Sequence, residues 1–360
     1  MRVLLATLAA ALAAATPAAA LPVERMAARD PTAALSLRQL VGQRLVVSFE
    51  GTSVPSALRR RLRRGELAGV ILFAGNIASR SSLRSLVEHL QGIRRPAELR
   101  APLLVMIDQE GGRVKRLPGA PRRSPAELGR AGSRRLARRA GRATARNLRG
   151  VGVNVDLAPV VDLGLAGGVQ RRLGRTYGAR PRLVSALGSA FARGLEEGGV
   201  AATLKHFPGL GRVRSDADRL VQRVPVSLRR LRRTDERPFA AGIRAGASLV
   251  MTGNAIYPRL GSRPALLSPG VARGELRRRL RFRGVAITDA LDTVALQSYG
   301  PPWRLALAAA RAGNDLLLMG SRSGAEAFRA LLASARSGSL GRAGLRDSAR
   351  RVLRLRAALR

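Results

Sequence analysis

Lys205 and His206 stand side by side after the apolar run Val200 to Leu204 and open a Gly/Pro turn, Phe207-Pro208-Gly209-Leu210-Gly211. The chain has just two lysines and two histidines, so the doublet gathers rare functional groups at one point. A cation and an imidazole can both bond hydroxyls or a carboxylate. Asp289 ends a second apolar run, Val285-Ala286-Ile287-Thr288, and Asp108 ends a third, Leu103 to Ile107. A carboxylate there is costly to desolvate unless it is paired or used, and Asp289 is suited to act as a nucleophile or charge stabiliser. Asp108 leads into Gln109-Glu110-Gly111-Gly112-Arg113-Val114-Lys115-Arg116. Two glycines there let backbone approach a ligand, while Arg113 and Arg116 offer forked donors. Singly, each of these residues also reads as an N-cap, a turn residue or a satisfied core group. Together, without a set of metal ligands, they point to polyol or glycan chemistry with neither metal nor cofactor.

The elements that must position them are legible as alternation. Eight short apolar runs, near residues 45–49, 69–73, 103–107, 153–161, 200–204, 248–251, 285–288 and 316–319, are separated by arginine- and leucine-rich stretches of helical period. Near-continuous apolar strands between helices indicate a parallel sheet covered by helices, and eight such units close a (β/α)8 TIM-type barrel of α/β class. An open doubly wound sheet is the alternative, but no glycine-rich dinucleotide loop follows the first run. Polar residues recur at the run ends: Glu50, Asn76, Asp108, Asp162, Lys205 with His206, Asn254 and Asp289. In a barrel all of them fall on one rim, the C-terminal face where active sites are built.

Composition narrows the rest. With 360 residues, 46% hydrophobic and 24% charged, the chain is globular and long enough for a large core. It has no cysteine, which excludes disulfides, thiolate metal sites and thiol nucleophiles. The net charge is +42, carried almost entirely by arginine in short runs at helical spacing rather than in a tail. That charge would suit nucleic acid, an anionic membrane or an acidic polymer, but only 3% of residues are aromatic, and solvated helix faces are the simpler reading. No specific nucleic-acid partner is expected. Residues 1–20 read as a secretory signal: Arg2, an apolar stretch from Val3 to Ala15, and Ala18-Ala19-Ala20 before Leu21. An uncleaved anchor helix is the competing reading, which Pro17 and the alanine content argue against. The expected organisation is a signal at 1–20, a loosely packed lead-in at 21–35 and one barrel domain at 36–360. No membrane span is expected after cleavage, and the mature protein is expected to be exported.

From about residue 36 onward the chain resembles glycoside hydrolase family 3, and within it the single-domain β-N-acetylhexosaminidases of cell-wall muropeptide recycling. The strings that carry the likeness are Asp108-Gln109-Glu110-Gly111-Gly112-Arg113-Val114 and Lys205-His206-Phe207-Pro208-Gly209. They are joined in family order by Ala158-Pro159-Val160-Val161-Asp162, Arg175-Thr176-Tyr177-Gly178, Thr288-Asp289-Ala290-Leu291 and Ala312-Gly313-Asn314-Asp315. The resemblance implies a retaining two-step hydrolysis releasing terminal β-linked N-acetylhexosamine, with N-acetylglucosamine-containing glycans, including peptidoglycan fragments, as substrate. It makes Asp289 the nucleophile and Asp108, Arg116, Arg175, Lys205 and His206 the sugar-binding residues. It also implies that no second α/β domain supplies the acid/base. One position departs. Where the subfamily carries an Asp-Ser-His triplet with the acid/base histidine, this chain reads Asp216-Ala217-Asp218. A further histidine usual after the Lys-His-Phe-Pro-Gly string is Leu210 here. Asp218, with Asp216 beside it, is thus the expected replacement acid/base. The alternatives are a degenerate member that binds glycan without turnover and, outside the family, a basic protein that binds anionic polymer.

Overall fold

Each of the eight apolar runs forms a strand in the computed structural model, which describes residues 30–359. The signal-like segment and most of the lead-in lie outside the described residues. The strands are β1 (Leu45–Val47), β2 (Gly69–Leu72), β3 (Leu104–Ile107), β4 (Val155–Asp156), β5 (Ala201–Phe207), β6 (Leu249–Thr252), β7 (Val285–Thr288) and β8 (Leu317–Met319). All neighbours pair in parallel, in the order β8-β1-β2-β3-β4-β5-β6-β7. An Ile287–Leu316 bridge brings β7 back to β8 and closes the circuit. The open-sheet alternative is thereby set aside.

Helices follow the strands around the outside, among them Arg80–Gly92 after β2, Arg134–Arg149 after β3 and Pro181–Glu197 after β4. Serine caps fix several helix starts. Ser36 and Ser124 form capping boxes with Gln39 and Glu127, each satisfying donors that the first turn leaves unpaired.

The strands are largely apolar on both faces because both are covered. Val46, Leu104, Met106, Leu249, Met251, Val285 and Ile287 point into the barrel, while Val47, Val105, Val250 and Ala286 face the helices. The period-two exchange of partners explains why the runs read as continuous rather than alternating. Val352 and Leu355, from the last helix Arg342–Ala358, join the inner cluster. On the same helix the buried Arg356 donates to the carbonyls of Leu99, Ala101 and Pro102 and to Gln43, so its charge is satisfied by dipoles.

One local feature differs from the sequence expectation. Strand β5 runs on through Lys205 and His206 to Phe207, with a register shift between Leu204 and Phe207 where it pairs with β6. The doublet therefore sits inside the strand's end, and the irregularity re-aims its side chains. Of the lead-in, only residues 30–35 are described, and four of these six are exposed. Thr32 and Leu35 are buried, and Asp30 pairs with Arg350.

Candidate active site

A cavity of about 260 Å³ opens at the C-terminal rim of the barrel. Its floor is the top layer of inward-facing strand residues, Ile71, Leu157, Met251 and Leu318. All eight residues predicted from the sequence line its wall: Asp108, Arg116, Arg175, Lys205, His206, Asp216, Asp218 and Asp289. The polar rim residues Glu50, Asn76 and Asn254 do not line it. Asn76 instead ties loops together, accepting from Phe73 N and donating to the carbonyls of Phe49 and Gly51. Arg113, offered above as a forked donor, is exposed and outside the cavity.

One side of the cavity is a closed charge network. Lys205 Nζ lies 2.6 Å from Asp108 Oδ1 and 2.7 Å from Glu110 Oε1. Arg175 grips Glu110 with both ends of its fork, at 2.6 and 2.8 Å. Burial alone would lower the Lys205 pKa, but the Asp108 and Glu110 carboxylates override it and hold the ammonium charged. Glu110 is fully buried, and burial would raise its pKa, yet Lys205 and Arg175 hold it at about 2. The antiparallel hairpin of Gln109–Gly111 and Val114–Lys115 carries Glu110. Its turn residues Gly111 and Gly112, at φ 96° and 62°, occupy backbone space that a side chain would strain. Gln109 pins the hairpin by accepting from Arg116 N and Leu117 N and donating to the Leu117 and Ala120 carbonyls. Arg116 reaches Asp108 at 4.0 Å and lies 6.0 Å from the ring of Phe73, which is exposed at the rim.

His206 is held by Asp162. The Asp162 carboxylate accepts from His206 N, from His206 Nδ1 at 2.7 Å and from Leu210 N. With Nδ1–H assigned as the donor, Nε2 is left for the cavity. Below this layer the Asp156 carboxyl is wholly buried and desolvation pushes its pKa up to about 8.

The opposite side is acidic and uncompensated. Asp289 follows β7, its backbone N–H donating to Thr252 O, and Asp218 sits in the loop after β5. Asp218 N–H donates to Asp216 Oδ1, its carbonyl accepts from Ala295 N, and Asn254 Nδ2 reaches its carboxylate at 3.3 Å. The like charge of Asp289 pushes the Asp218 pKa up to about 7, with desolvation and Asp216 adding to the rise. His206 and Arg175 oppose the rise. The arginines nearest in sequence do not set this balance. Arg212 is bound to Asp235, and Arg214 and Arg219 are exposed. Sequence reasoning did not single out Glu110, which lines the cavity, or the buried Asp156, and took Asp162 only as a rim residue, although Glu110 and Asp162 stand inside the strings already singled out.

Such a cavity can bind a polyol through its paired charges and presents the Asp218 and Asp289 carboxylates to whatever occupies it. Among the described residues, no group of three or more His, Cys, Asp or Glu is arranged to hold a metal ion, and no helix is long and apolar enough to cross a membrane.

Residues 36–355 match the model of the glycosyl hydrolase family 3 N-terminal domain. A protein described as an uncharacterized secreted glycosyl hydrolase, from Arthroderma benhamiae, is 34% identical over 91% of this chain and 96% of its own. A β-hexosaminidase of Thioalkalivibrio sulfidiphilus is 36% identical over 76% of this chain and 80% of its own. Among solved structures, the β-N-acetylhexosaminidase of Beutenbergia cavernae is similar with a TM-score of 0.82 at 30% identity, covering 90% of this chain and 99% of that one. A family 3 β-N-acetylglucosaminidase from Paenibacillus gives 0.85 at 34% identity over 91% of this chain, but this chain spans only 63% of it.

Proposed function

The chain belongs to glycosyl hydrolase family 3, and from that premise we propose that it is a retaining β-N-acetylhexosaminidase acting on terminal β-linked N-acetylglucosamine. The observation that carries the reading is the pair Asp289 and Asp218 on one cavity wall, with the Asp289 charge holding the Asp218 carboxyl near pKa 7. A retaining glycosidase needs an ionised nucleophile beside a protonated acid.

In the first step the Asp289 carboxylate attacks the anomeric carbon while Asp218 gives its proton to the departing glycosidic oxygen. Forming the glycosyl ester neutralises Asp289, which removes the leading cause of the raised Asp218 pKa. Asp218, now ionised and with its pKa lowered by the loss of the Asp289 charge, accepts a proton from the water that attacks the anomeric carbon and releases Asp289. Asp216 positions Asp218 by capping its N–H and adds like charge. Asp108, Arg116, Arg175, Lys205 and His206 bind the sugar hydroxyls and acetamido group. Lys205 and Arg175 are already charged and oriented by Glu110, so little reorganisation accompanies binding.

The natural substrates proposed are peptidoglycan-type fragments, with residues 1–20 a cleaved leader and residues 36–360 one barrel domain. A mature N-terminus near Leu21 in mass spectrometry supports export, and an intact Met1 on cytosolic protein contradicts it. Limited proteolysis leaving two stable halves would refute the one-domain reading. Release of nitrophenol from an aryl N-acetyl-β-glucosaminide, lost in Asp289→Ala, with the β-anomer as first product, tests the activity. Binding of the sugar without turnover at any pH would leave only a glycan-binding member of the family.

A further inference from the structure

On the outer wall of the barrel the helices Arg134–Arg149, Pro181–Glu197 and Arg237–Arg244 enclose a groove of about 750 Å³. None of its residues lines the catalytic cavity. Nine exposed arginines surround it. Arg138 and Arg142 share Glu197, whereas the other seven, Arg139, Arg193 and Arg237 among them, have no carboxylate within ion-pairing distance among the described residues. Other arginine-rich stretches of the chain are treated differently. Arg232 and Arg279 are bound to Glu275, Arg277 and Arg351 to Asp315, and Arg38 and Arg61 to Glu66.

The crowding is built into the helix contact. A Cβ on Gly141 would fall 2.2 Å from Phe191 O, and one on Gly194 2.3 Å from Arg138 O, so only glycine lets these backbones meet. Their meeting draws the arginines of two helices onto one groove, where the one carboxylate paired with them, Glu197, offsets only part of their mutual repulsion. The floor is small, with Ala190 and Ala241, and the buried Oγ of Ser189 has no hydrogen-bond partner.

We propose that this groove binds an extended phosphodiester-linked polyol chain. Guanidinium forks take phosphate oxygens bidentately, a row of them matches a polymer with repeating charge, and Ser189 offers a hydroxyl at the floor. The groove is concave and of a size for a single extended chain, which disfavours a flat lipid leaflet or a nucleic-acid duplex. No aromatic side chain lines it, so it has no platform for stacking bases. The proposal does not depend on the glycosidase reading.

Binding of the full chain to poly(glycerol phosphate) would be measured against salt. The wild type is compared with Arg139→Glu/Arg193→Glu/Arg237→Glu and with a charge-matched control, Arg329→Glu/Arg346→Glu/Arg354→Glu, whose positions are exposed and unpaired on other helices. The groove variant is expected to bind at least ~tenfold more weakly and to flatten the slope of log K against log salt by roughly 2, the control changing affinity less than about twofold. Turnover of an aryl glycoside by the groove variant, equal to wild type, certifies its fold; if the chain has no such activity, its circular dichroism spectrum does so instead. Equal weakening by both variants, no binding by wild type, or groove-dependent binding of duplex DNA or anionic vesicles as tight as that of the polymer would each overturn the proposal.

Discussion

The two walls of the cavity handle charge in opposite ways. On the β3–β5 side, Asp108, Glu110, Arg175 and Lys205 form a compensated network in which buried charges satisfy one another. On the β5-loop and β7 side, Asp216, Asp218 and Asp289 repel, and no cation is ion-paired with them among the described residues. The difference separates holding from reacting. Groups that only bind gain from having their charge fixed, because a preorganised donor pays little on meeting a hydroxyl. Groups that move protons need a pKa near the working pH, and repulsion provides it.

The largest expected effect comes from removing the source of that repulsion. Asp289→Ala takes away the proposed nucleophile and its field together, and kcat on an aryl N-acetyl-β-glucosaminide should fall roughly 10⁴-fold or more. Asp218→Ala should slow substrates with poor leaving groups by about 10²–10⁴-fold and nitrophenyl substrates much less, with azide partly restoring release from the glycosyl-enzyme. Equal loss on both substrate classes would remove Asp218 from the acid/base role. The compensated wall breaks differently. Glu110→Ala leaves Arg175 without its carboxylate partner and Lys205 with Asp108 alone, and should cost about 3–5 kcal/mol in chemical denaturation. Because Glu110 has a folded pKa of about 2, below its ordinary 4.5, its contribution is complete above pH 4.5 and fades as pH falls toward 2. The gap between Glu110→Ala and wild type should therefore narrow in acid. A constant gap would show that the network is not what Glu110 stabilises.

The barrel was legible because a parallel strand covered on both faces has to be apolar throughout, and the rim followed from what ended each run. The cavity-lining residues were legible for a related reason: a lysine and a histidine rare in the chain stood at one strand end. Glu110 was not read as a working residue because its burial depends on a hairpin too short to leave a periodic signal. Asp162 was seen only as a rim residue, since its grip on His206 joins β5 to a segment 44 residues away in sequence. Chain proximity alone would make Arg212, Arg214 and Arg219 the groups opposing protonation of Asp218, but Arg212 is bound to Asp235 while Arg175, from a distant loop, faces the site. Asp289, the main influence on Asp218, is distant in sequence, and the pairing of β5 through β6 to β7 brings the two together.

The central claim is that Asp289 keeps Asp218 protonated. Carboxyl ¹³C NMR of aspartate-labelled protein, titrated in wild type and in Asp289→Asn, addresses it without relying on turnover. The account predicts that Asp218 titrates at about 7 in wild type, so that it loses its proton as pH rises through neutrality, and that it falls toward 3.8 in Asp289→Asn. A wild-type Asp218 titrating in the ordinary carboxylate range, or one unmoved by Asp289→Asn, would contradict it.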